Sequence, residues 1–123
     1  MSATFPDEAL EAARWLARRA ERRGRLDLSK RILVGCLHAR PDASEAARDL
    51  ARVALALGDP ATAQHAAGIA LQHDARHPHA AWLYARALIA LGATEDARGW
   101  LALAANDPAL ADVARAVQAR LSR

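Results

Sequence analysis

Apolar positions recur at three- and four-residue spacing along most of the chain, the period of one buried helix face. In ALEAARWLARRAERRG, residues 9–24, the pattern holds up to Gly24. Glycine can take positive φ there and end the helix in a tight turn. Asp27, Asp59 and Thr94 stand where a side-chain oxygen caps a following helix, and Pro60 suits a first turn. The pattern predicts helices over about 5–23, with Thr4 as cap, then 27–39, 43–57, 60–74, 78–91 and 94–105. A seventh is expected from Pro108 to about Arg120, capped by Asp107. Its apolar stripe is Leu110, Val113, Val117 and Leu121, and its polar side is Asp112, Arg115, Gln118 and Arg120. No strand is expected.

The helices repeat. RVALALGDPATAQHA, from Arg52, and RALIALGATEDARGW, from Arg86, share Arg, then Leu-Gly, then Ala at the same places. Gly24, Gly58 and Gly92 are each 34 residues apart. Ser29, Ala63 and Ala97 follow them in one register, as do Cys36, Ala70 and Ala104. Ala17, Ala51 and Ala85 precede them, each next to a large apolar residue, Leu16, Leu50 or Tyr84. This period and register resemble the tetratricopeptide repeat (TPR).

The resemblance implies an all-α fold of seven helices: three hairpins, each of a helix A and a helix B, stacked in a right-handed solenoid plus a C-terminal capping helix. It covers nearly all of a single TPR-like domain, 1–123, with repeats at about 10–43, 44–77 and 78–106 and the cap at 107–122. The sequence also departs from the family. Where helix A often carries bulky aromatics it has Ala13, Ala47 and Ala81, and the usual late Tyr is Ala20, Ala54 or Leu88. Pro41 ends its repeat in register, whereas Pro78 and Pro108 fall a few residues off. Gly35, Gly68 and Gly99 lie inside B helices, where each costs about 1 kcal/mol relative to Ala. Modest stability is expected.

Composition narrows the chemistry. The 123 residues are 53% hydrophobic but only 4% aromatic, so the apolar content is mostly Ala and Leu, both strong helix formers. The N-terminal MSATFPDEAL has acids and a Pro where a secretory leader has a basic run and an apolar core. No apolar run approaches the roughly 20 residues needed to span a bilayer. Cys36 is the only cysteine, which suits a reducing compartment, and it is expected to be an inert buried thiol. A cytoplasmic, soluble protein is expected. The sequence has no nucleophile–base signature, phosphate-binding glycine loop or Cys/His metal framework, so it is not read as an enzyme and no cofactor is expected. His73, His77 and His79, in HDARHPH, are read as a solvated turn between repeats rather than as metal ligands.

The net charge is +3, but Lys and Arg crowd the stretch from Arg14 to Arg40, where Glu21 and Asp27 are the only acids. In TPR proteins the A helices line the concave groove. Arg18, Arg52 and Arg86 share one groove-facing repeat position, and Arg14, Arg48 and Trp82 stand four residues earlier on the same face. The next turn adds Glu21, Leu55 and Ile89. Two uses are open for this wall. Its arginines pair with neighbouring carboxylates such as Glu11, Glu45 and Asp49, or they hold an acidic or amphipathic segment of another protein, with Trp82 as anchor. The family's clamp for acidic C-termini uses Lys and Asn in the groove; Arg replaces that Asn here, so such a clamp is not expected.

Size, repeat number and cap are similar to the small TPR chaperones of bacterial type III secretion, and NDPALADVARAVQARL is similar to the end of the needle-subunit chaperones. That resemblance implies binding of an amphipathic helix prone to self-assembly. The alternatives are a general TPR adaptor in another bacterial assembly, or nucleic-acid binding through RWLARRAERRGR, where Arg18, Arg19, Arg22, Arg23 and Arg25 would meet phosphates. No aromatic platform accompanies that patch, which favours a protein partner.

Overall fold

The computed structural model describes residues 5–122, and within them all regular structure is helical. The helices are α1 (Asp7–Arg22), α2 (Leu26–Ala39), α3 (Ser44–Ala56), α4 (Pro60–His73), α5 (Pro78–Ala90), α6 (Thr94–Ala104) and α7 (Pro108–Leu121). Three hairpins, α1–α2, α3–α4 and α5–α6, stack in chain order, and α7 packs on the last. The chain is an α-helical solenoid.

The periodic glycines make the hairpins. Gly24, Gly58 and Gly92 have φ of 76, 75 and 86°. After each, the next amide reaches back to the carbonyl five residues earlier, at 2.8 Å in all three: Arg25 to Ala20, Asp59 to Ala54 and Ala93 to Leu88. This is a Schellman motif, closed by a residue that carries no Cβ to clash at positive φ. The small residues in register are then buried: Ala17, Ala51 and Ala85 on the A helices, Ser29, Ala63 and Ala97 on the B helices. Without bulk between them, the paired helices approach closely.

The helix starts follow the sequence in part. Asp59 accepts from the Thr62 amide and Asp107 from the Ala109 amide, each ahead of a first-turn proline. Asp27 and Thr94 do not cap: α2 begins one residue before Asp27, and α6 begins at Thr94 itself. His77 caps α5 instead, its Nδ1 accepting from Ala80 N–H at 3.3 Å. The expected cap Thr4 lies outside the described residues, and α1 begins at Asp7 behind Pro6. In α7 the inward stripe is Leu110, Ala114, Val117 and Leu121; Val113 is 43% exposed. The 4-3-4 spacing follows the helix better than one through position 113. Leu16 shares a register position with Leu50 and Tyr84 but is 51% exposed, because no earlier hairpin covers it.

Candidate functional site: the A-helix wall

The A helices lie on the inside of the arc. Among the described residues α3 touches α5, and α5 touches α7, whereas α2, α4 and α6 have no comparable contacts with one another. The closer spacing of the A helices makes their shared face the concave one.

The structure divides the expected wall in two. Its first half is closed by ion pairs between repeats. Arg14 on α1 hydrogen-bonds Glu45 and, at 2.9 Å, Asp49, both on α3. Arg52 on α3 reaches back to Glu21 at 2.7 Å and along its own helix to Asp49 at 3.3 Å. Asp49, only 8% exposed, thus lies between two guanidinium groups. Burial works against the Arg14 charge, but Asp49 and Glu45 outweigh it and hold its pKa above the ordinary value. Hydrogen bonding from Arg52 keeps the Glu21 carboxyl below its usual range, and that pair, with Asp49, raises Arg52. For Arg14 and Arg52 the pairing alternative therefore describes the structure. Glu45 and Asp49 are the carboxylates named for it; Glu11 makes no ion pair among the described residues.

The other three arginines, two of them on these same helices, are open. Among the described residues Arg18, Arg48 and Arg86 make no ion pair and no side-chain hydrogen bond. Arg18 and Arg86 are exposed, and Arg48 is half-buried. Arg48 lines a cleft of about 440 Å³ with Ser44, Glu45, Ala70, His73, Asp74 and His77. Trp82 is half-buried against the last two hairpins, and the Arg86 guanidinium lies 5.8 Å from its ring centroid. Leu55 and Ile89 are half-buried beyond it.

The remaining candidates fall elsewhere. His77 and His79 have ring centroids 6.1 Å apart but separate tasks, His77 as helix cap and His79 with Nδ1 3.5 Å from Asp107. Burial, then the nearby Arg48 charge, lowers the His77 pKa, which keeps its cap nitrogen free to accept. Cys36 is 2% exposed, and burial pushes its thiol up, away from the reactive thiolate. Arg19, Arg22, Arg23 and Arg25 are exposed on α1 and its turn.

Sequence reasoning missed which arginines are spoken for. Along this wall the inter-repeat pairs join residues 31 or 35 apart, but the offset alone does not choose the arginine, since Arg18 also stands 31 residues before Asp49 and does not pair with it. The same offsets forward from Arg48 reach His79 and Leu83, with no carboxylate, and that guanidinium is left over.

Stacked hairpins with a basic, aromatic-edged inner wall define a helical-repeat fold. The tetratricopeptide repeat family model matches residues 54–121, more than half of the chain, and the chain belongs to that family. No curated protein matches it by sequence. Among solved structures it is similar to PcrH, crystallised in complex with the chaperone binding region of PopD, at 21% identity and a TM-score of 0.86, covering 99% of this chain and 97% of that one. PcrH is also known alone, from Pseudomonas aeruginosa. The Yersinia enterocolitica type III secretion translocator chaperone SycD is similar at 20% identity and a TM-score of 0.76, covering 95% and 90%. So is the first TPR of Spaghetti bound to an HSP90 peptide, at 15% identity and a TM-score of 0.84, covering 97% and 100%. No described helix is long and apolar enough to cross a membrane.

Proposed function

We propose that the chain is a non-enzymatic binding module that holds a helix or extended segment of a partner protein on its concave wall. In this reading it acts as a small cytoplasmic chaperone of type III secretion, with a needle or export subunit as client. One observation carries the proposal: Arg18, Arg48 and Arg86, on three successive A helices, have no ion-pair partner among the described residues, and the last stands over half-buried Trp82. Cations left unpaired beside an aromatic ring suit a ligand with acids near one or two large apolar anchors. Arg presents a planar fork that takes a carboxylate bidentately, and Trp is a favoured anchor in a desolvated pocket. The likeness to PcrH in complex with part of PopD, and to a TPR with a bound peptide, supports the same use of the fold.

Arg14 and Arg52 enter this reading as framework. Their ion pairs join α1 to α3, the helices that carry Arg18 and Arg48. The test is capture of partners from bacterial lysate by the wild type and by Arg48→Glu with Arg86→Glu, followed by binding kinetics on the captured protein. The wild type should retain a protein that the double variant loses. Trp82→Ala should speed dissociation, while the charge reversals slow association and flatten its salt dependence. Equal capture and kinetics by all three would end the proposal.

A further inference from the structure

The edge of the first hairpin where α1 turns into α2 has no part in the groove reading. Leu50 on α3 is buried, whereas Leu16, at the same register position of α1, is 51% exposed. With half-buried Leu28 and Ile32 of α2 it lines a hollow of about 180 Å³, and exposed Arg19, Arg23 and Arg25 stand around the same hollow. Trp15, next to Leu16, is also 51% exposed. The Arg19 guanidinium lies 5.4 Å from its ring centroid, so the indole joins the basic edge.

Charge on this edge is one-sided. Arg19, Arg22, Arg23 and Arg25 make no ion pair among the described residues. Of the two acids between Arg14 and Arg40, Glu21 is engaged by Arg52, which leaves Asp27 alone against them. Glu8 and Glu11 are exposed too, but about two turns and one turn before Trp15, so α1 begins acidic and ends basic.

An aliphatic hollow edged by guanidinium groups, beside an exposed indole, fits an amphiphile with an anionic head. Guanidinium takes phosphate oxygens bidentately, and an indole settles at the boundary between headgroups and chains. A nucleic acid would supply phosphates, and a base for Trp15, but nothing to cover Leu16, Leu28 and Ile32. We propose that this edge is a peripheral membrane-docking site for anionic phospholipid, with Trp15 and Leu16 at the headgroup boundary and Arg19, Arg22, Arg23 and Arg25 on lipid phosphates. α1 meets the surface with its C-terminal half, which holds Glu8 and Glu11 away from the negative charge. The attachment is reversible, because a few side chains enter the interface and no helix does. It goes beyond the proposed function and does not depend on it: the residues varied to test the groove, Arg48, Trp82 and Arg86, lie on α3 and α5.

Vesicle flotation tests it. The wild type should float with phosphatidylcholine vesicles that contain about one third phosphatidylglycerol and not with phosphatidylcholine alone, and salt should weaken the binding. Arg19→Glu with Arg23→Glu and Arg25→Glu should lower partition about a hundredfold, since each basic side chain near an anionic surface contributes separately. Arg76→Glu with Arg115→Glu and Arg120→Glu, exposed positions far along the chain, gives the same net charge and should still float. Lipids with brominated chains should quench part of the wild-type tryptophan fluorescence, and that part should vanish in Trp15→Phe. If the reversals disturb the helical circular dichroism, Arg19→Gln with Arg23→Gln and Arg25→Gln decides, because Gln is also a good helix former. A wild type that does not float with anionic vesicles, equal flotation with neutral ones, or equal loss in both triple reversals would each overturn the proposal. Retardation of poly(U) RNA that the first triple variant loses, without vesicle binding, would overturn it in favour of nucleic acid.

Discussion

At the scale of single residues, the five arginines of the wall are not equivalent. Arg14 is bound to the nearly buried Asp49, so its removal leaves that carboxylate with Arg52 alone. Arg14→Ala should cost about 2 kcal/mol, as loss of a charge-assisted bond to a mostly buried partner does. Arg18→Ala should stay within about 0.5 kcal/mol, as exposed substitutions usually do. Urea unfolding of both variants checks the contrast, and equal losses would mean that the pairing in the first half does not hold in solution. This division was not legible along the chain. Glu45 and Asp49 were candidates as soon as the arginines were counted, but which guanidinium takes which carboxylate depends on how one hairpin slides over the next. Gly35 and Gly99 invite the opposite change. A Cβ at either would meet nothing within 4 Å, so Gly35→Ala and Gly99→Ala should each stabilise by about 0.5–1 kcal/mol in thermal or urea unfolding. At Gly68 the Cβ would stand 3.8 Å from Tyr84 Cε1, in ordinary contact.

At the scale of the helix, the turns were legible and the starts only half so. A Schellman turn needs one residue with positive φ, and three glycines at one period announce it. A start can be satisfied by any acceptor at the right place, which is how His77 takes a role that the sequence assigned to no one. Burial lowers the His77 pKa, so the neutral ring stabilises the fold above its ordinary value of 6.5. That contribution is fully present above this pH and is lost as pH falls through the lowered folded pKa. Unfolding free energy should therefore drop more between pH 7 and pH 5 in the wild type than in His77→Asn, whose amide caps without titrating. Identical pH profiles would remove His77 from the account. The last helix has its own task. Leu110 and Ala114 are buried against the third hairpin, and Arg98 on α6 donates to the Leu121 carbonyl at 2.7 Å. Deleting 107–123 should expose Leu101 and its neighbours and drive aggregation, visible by light scattering.

At the scale of the whole molecule, the period decides the architecture, and the proposed function rests on the leftover charge. Helices that repeat every 34 residues with small residues at their contacts can bury an apolar face only by stacking, and stacking places equivalent positions in a row along the inner wall. The row was visible in the sequence; its split into a closed and an open half was not. The central claim is that partners are held on the concave A-helix face. The most direct measurement is photo-cross-linking in cells, with a photoreactive residue at Arg86 on the inner wall or at His65 on α4, which is exposed and lines an outer cleft with Tyr84 and Trp100. The account predicts a discrete adduct with another protein from position 86 and none from position 65. An adduct from position 65 alone would place the partner on the convex face and contradict it.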